Sequence, residues 1–64
     1  MSKVLPVIHV ESTEQAARNV KVARDAGADG VFLINHHITV DELLETYEAM
    51  PHKDFWIGLN LLGL

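Results

Sequence analysis

The chain has 64 residues and a formal charge of −4, with no cysteine. That length allows one small domain, and it excludes a disulfide framework or a thiolate metal site. The five basic residues (Lys3, Arg18, Lys21, Arg24 and Lys53) never cluster, which argues against a nucleic-acid surface, and no apolar run approaches the roughly 18–20 residues that span a bilayer. The opening Met1–Ile8 has neither a long apolar core nor a small-residue cleavage site, so it does not read as a signal peptide, and a cytoplasmic location is the default expectation.

In chain order, residues 4–10 (Val-Leu-Pro-Val-Ile-His-Val) form the first expected strand. Pro6 has no N–H for a ladder and belongs near a strand start. Ser12 and Gln15 then have the spacing of a capping box, in which Gln15 would reach back to the cap. The helix expected over 13–26 carries a stripe of Ala16, Ala17, Val20, Ala23 and Ala26, with small residues suited to lying close on a sheet. Gly27 stands where a left-handed residue ends a helix.

A second strand is expected over 30–35. Gly-Val-Phe-Leu-Ile is an apolar run with no alternation, the pattern of a strand buried on both faces of a parallel sheet, and it ends abruptly in Asn35, His36 and His37. Thr39 and Glu42 repeat the capping-box spacing, and Asp41, Glu42 and Glu45 put negative charge at the helix start, where the macrodipole favours it. Val40, Leu43, Leu44, Tyr47 and Met50 make the apolar stripe of a helix over 40–50, which Pro51 should stop. The third strand is expected over 55–61. The two halves therefore repeat as strand, polar turn, capped helix and strand, giving a single βαβαβ unit of the α/β class with a parallel sheet.

The turn Ala23-Arg24-Asp25-Ala26-Gly27-Ala28-Asp29-Gly30-Val31-Phe32 resembles the A-x-x-A-G-A-D-G-V/I-F turn found across TIM (β/α)8-barrel enzymes, including phosphate-binding and aldolase- or lyase-type barrels. The whole chain is similar to the first two and a half βα units of such a barrel. The motif belongs to the stability face of the barrel, so Asp29 is expected to be a turn residue rather than a catalytic one. The resemblance implies a partial barrel completed by self-association, and the apolar Leu61–Leu64 ending favours a chain cut from a longer one.

Alternation assigns the faces. Ile8, Val10, Phe32, Ile34, Ile57 and Leu59 are expected under the helices, a set that is apolar until His36 follows Ile34 on it; Val7, His9, Glu11, Leu33, Asn35, His37, Trp56, Gly58 and Asn60 fall on the other side. On that second set each strand begins apolar and ends polar, at the carboxyl ends where barrel and open-sheet sites are built. His9, Glu11 and His37 are the candidate acid–base residues, and Asn35 and Asn60 the candidates for orienting a carbonyl or hydroxyl of a small polar or phosphorylated molecule. The competing expectation is that the asparagines satisfy backbone groups at strand ends.

His9, Glu11, His36 and His37 also offer imidazole and carboxylate ligands, of which two imidazoles and a carboxylate, as in His9, Glu11 and His37, make the donor set of an open zinc site. The His-x-Glu of the first strand departs from the His-x-His that metal-dependent hydrolases among TIM barrels carry there. No cofactor is indicated, and neither standard Gly-rich phosphate loop is present. If the strands lie in the order 1-2-3 with both helices on one side, the other sheet face and both edges stay open, which favours a homo-oligomer. Three functional expectations follow. The first is a barrel-enzyme segment that self-associates without efficient catalysis of its own. The second is an oligomeric lyase, isomerase or hydrolase, and the third is a purely structural assembly module.

Overall fold

The computed structural model describes residues 2–50 and 54–62. Its elements are β1 (Val7–His9), α1 (Thr13–Asp25), β2 (Gly30–Ile34), α2 (Val40–Ala49) and β3 (Trp56–Asn60). The strands form one parallel sheet in the order β1-β2-β3. Helix α1 packs on β1 and β2, α2 packs on β2, and the two helices touch each other, so both lie on the same side of the sheet. The expected βαβαβ order is present, and most element ends agree within a residue or two. The exception is β1, which is shorter than 4–10.

That shortening has a local cause. Pro6 supplies only its carbonyl, which accepts from the Phe32 N–H at 2.9 Å. Pairing nonetheless continues beyond both ends of β1. Asp29 N–H donates to the Val4 carbonyl and Val10 N–H to the Ile34 carbonyl. The Asp29 carboxylate also accepts from Val4 N–H at 2.7 Å, which makes Asp29 a two-way clip on the start of β1. Its expected role as a turn residue agrees with this contact.

Helix α1 begins with Ser12 accepting from Gln15 N–H. It ends in a Schellman motif: Gly27 takes a φ of +92°, Gly27 N–H donates to Arg24 and Ala28 N–H to Ala23. Thr39 and Glu42 form the full reciprocal capping box of α2, with bonds of 3.0 and 3.1 Å. Met50 closes α2 in an extended conformation (ψ 156°), the state imposed on a residue that precedes proline. Pro51 itself and the loop residues 52 and 53 lie outside the described residues.

The core lies between sheet and helices. Ile8, Val10, Val31, Leu33 and Ile57 from the sheet meet Ala16 and Val20 of α1, Leu43 of α2 and Met50 just after it. Two details correct the sequence reading. Ala17 and Ala26 are exposed, which leaves a narrower α1 stripe of Ala16, Val20 and half-buried Ala23. On α2 the buried position beside Leu43 is Thr46, with Leu44 turned outward; the Thr46 hydroxyl meets that of Thr13 at 3.1 Å and joins the helices.

The larger correction concerns β2. Val7 pairs with Phe32, Ile8 with Leu33 and His9 with Ile34, and across β2 Leu33 pairs with Leu59 and Ile34 with Asn60. Laterally paired residues share a face, so Val31, Leu33 and Asn35 lie under the helices, while Phe32 and Ile34 lie on the open side. The expected faces of β2 are therefore exchanged. The cause is that β2 is apolar on both sides, so its own pattern carries no face information.

Candidate functional site

The carboxyl ends of the strands carry His9 and Glu11 after β1, Asn35, His36 and His37 after β2, and Asn60 on β3. His9, Ile34 and Asn60 stand level across the three strands on the open face. His9 and Asn60 are thus two strand spacings apart, about 10 Å, with Ile34 between them. Ile34 is buried yet lies outside the main core cluster, consistent with its place on the opposite face.

His36 follows Ile34 by two residues and meets His9. The ring centroids are 4.6 Å apart in an edge-to-face arrangement, and the His37 ring is 6.1 Å from that of His36. His9, His36 and Asn60 are all exposed. The face assignment made from sequence put His36 beneath the helices. The register of β2 brings it to His9 instead, and that pairing is the signal the sequence reading missed.

Gln15 fixes the end of β1. Its Nε2 donates to the His9 carbonyl at 3.1 Å, and its Oε1 accepts from Glu11 N–H at 2.9 Å. The capping-box spacing of Gln15 was legible, but its side chain reaches one residue past the cap. Glu11 is exposed in the turn that this contact shapes.

Asn35 does not join His9 and Asn60. It is 6% exposed, on the helix side. Its Nδ2 donates to the Leu62 carbonyl at 3.0 Å and to the Ile38 carbonyl at 3.4 Å, and its Oδ1 accepts from Leu62 N–H at 2.7 Å. The amide thus imitates one more rung of strand pairing and ties the chain after β3 to the β2–α2 loop. Both amide hydrogens are committed to backbone, the alternative that the sequence reading had set beside substrate orientation.

The zinc-like set of His9, Glu11 and His37 is not assembled. Among the described residues no three His, Cys, Asp or Glu side chains gather as a metal site. Two concavities flank the sheet. One, of about 520 Å³, runs along the free edge of β1, between residues Pro6, Val7, Ile8 and His9 and the α1 residues Gln15, Asn19 and Val22. The other, of about 320 Å³, lies at the opposite end by Lys3, Leu5, Asp29 and Trp56. Of the candidate residues only His9 borders either.

Among the described residues no helix is long and apolar enough to cross a membrane. The fold defines a small parallel α/β protein with a one-sided sheet. Comparison with protein-family models, with curated proteins and with solved structures gives no match for the chain.

Proposed function

We propose that the chain is a self-associating segment of the TIM-barrel kind, whose sheet is completed by further copies of itself. The observation that carries this reading is the helix-free face of the sheet. Its paired strand positions are Val7, His9, Phe32, Ile34, Trp56 and Asn60 with two glycines, none of them Asp, Glu, Lys or Arg, and Lys3 and Asp29 border Trp56 at one end. Val7 is 52% and Trp56 53% exposed. A face with aromatic and aliphatic side chains at its centre suits burial against a second copy of itself.

Size decides how copies would meet. Strands of three, five and five residues present a face of at most about 15 by 17 Å, or roughly 250 Å², from ordinary strand spacing and rise. A stable interface buries about 800 Å² per partner, so face-to-face contact alone is too small. Lateral addition, β3 of one copy beside β1 of the next, would bury the open edges, and closure of the added copies into a barrel would turn this face inward. The apolar groove along β1 is open to such a neighbour. Parallel strands in sequential order with helices on one side are also how consecutive barrel units are laid down.

Sedimentation equilibrium over a wide concentration range tests the proposal. The expected result is a mass that rises to a defined multiple, with Trp56 emission shifting to the blue as it does so. Val7→Lys, on an edge strand, should abolish the rise while leaving the helical circular dichroism intact. A folded chain that stays monomeric at the highest concentration would refute the reading.

A second reading rests on the contact between His9 and His36. Two exposed imidazoles at the strand ends, level with Asn60, can pass a proton to or from a small polar or phosphorylated molecule. His9→Ala and Asn60→Ala test it: each should abolish binding or turnover of such a molecule without changing the sedimentation mass. Variants that alter only the mass would favour a purely structural module.

A further inference from the structure

We propose that His9 and His36 form a two-imidazole chelate for a borderline divalent transition cation of the copper, nickel or zinc type. The separation of the rings is the first argument. Two imidazoles that share one ion place their nitrogens about 2.0–2.1 Å from it, which sets their centroids roughly 4.5–5.2 Å apart for ligand angles between square and tetrahedral. The observed 4.6 Å lies within that interval. His36 and His37, at 6.1 Å, would need a ligand angle of about 145–150° on one ion, wider than square or tetrahedral geometry allows, so His37 stays outside the chelate.

The second argument is that the two backbones are fixed before any ion arrives. The His9 carbonyl is held by Gln15, and its strand is paired to β2. His36 directly follows Asn35, whose amide is anchored to Leu62 and Ile38. Only side-chain rotation remains, and χ2 of histidine is soft. Preorganisation of this sort lowers the ordering cost of binding.

Both rings are exposed, so an ion can enter, and with two protein donors the remaining positions fall to water. Imidazole donors suit zinc, copper and nickel, and the usual order of affinities puts copper first. The site does not depend on self-association, because both ligands belong to one chain.

Isothermal titration with NiCl2 and ZnCl2, in a non-coordinating buffer near neutral pH, tests the proposal at a concentration whose sedimentation mass is known. The expected result is one ion per chain. His9→Ala and His36→Ala should each weaken binding about tenfold or more and to a similar level, because either change reduces a chelate to a single arm. His37→Ala should change it less than about threefold on the same arithmetic. His36 lies in an exposed turn, so its variant carries the test even if His9→Ala fails to fold. Cu²⁺ should selectively broaden the ring resonances of His9 and His36. Unchanged affinity in His36→Ala, or one ion shared between two chains, would overturn the proposal.

Discussion

Replacing Asn35 with alanine removes the clamp that joins the end of β3 to the β2–α2 loop. Two of its hydrogen bonds are short, 2.7 Å from Leu62 N–H and 3.0 Å to the Leu62 carbonyl; the third, 3.4 Å to Ile38, is too long to count for much. At about 1 kcal/mol net for each short bond, the loss is about 2 kcal/mol. Leu62 is 42% exposed, so water can take over part of its pairing, and the larger penalty for stranded buried groups does not apply in full. For a domain of this size 2 kcal/mol lowers the melting temperature by about 8–16 °C. Thermal melts followed by far-UV circular dichroism and by Trp56 fluorescence, at one fixed protein concentration, would measure it. Asn35→Asp keeps the acceptor for Leu62 N–H but turns a carboxylate oxygen toward the Leu62 carbonyl. Burial and that carbonyl disfavour a charged carboxylate there, so part of the destabilisation of Asn35→Asp should fade as the pH falls and the group protonates. An Asn35→Ala protein melting within about 2 °C of the parent would refute the clamp and restore this amide as a ligand-binding group.

Three further outcomes are expected. Leu33→Ala, at a fully buried central position, should cost about 2–5 kcal/mol, about half of the roughly 3–10 kcal/mol available to a chain of this length, so its urea midpoint should fall by about half. Gly30→Ala should be worse than Gly58→Ala in the same titration. A Cβ at Gly30 would stand 2.6 Å from the Trp56 backbone oxygen, which cannot move aside, whereas one at Gly58 meets the rings of Trp56 and Phe32, which can shift at the expense of their edge-to-face contact. Thr39→Ala should cost about 1 kcal/mol by loss of the cap. The Thr39 backbone N–H, and after it the Thr39 side chain, holds the Glu42 carboxyl below the usual range, so the Glu42 contact is complete above the unfolded pKa of glutamate and is lost as the pH falls through the lower folded value; melts of the parent and of Glu42→Gln over a pH series should converge in acid.

The elements and their order were legible because each has a local cause. Ser12, Gly27 and the Thr39–Glu42 pair mark helix ends through backbone groups that need partners, and the apolar run 30–34 marks a parallel strand. The faces of β1 and β3 were legible too, from alternation around Ile8 and Ile57. The face of β2 was not, because Val31, Phe32, Leu33 and Ile34 are equally apolar. What chooses between the two registers is non-local: the Asp29 clip on Val4 and the pairing of Phe32 N–H with Pro6. The candidate site inherited that ambiguity, so Asn35 was grouped with His9 while His36 was sent to the wrong side. Thr46 was passed over because its hydroxyl has a partner only on the other helix, at Thr13.

The parallel arrangement also bears on how the chain reaches its fold. Every rung of both ladders joins residues separated by a whole helix, as Val7 is from Phe32 and Gly30 from Trp56. No hairpin is available to start the sheet. Early order has to come from the capped helices, and strand pairing must wait until each helix has drawn its flanking segments together. The ordering cost of that loop is met before any rung repays it, which places folding among the slower routes for so short a chain. During the delay the apolar strands stand unpaired, and a crowded solution would offer them one another before they find their own neighbours.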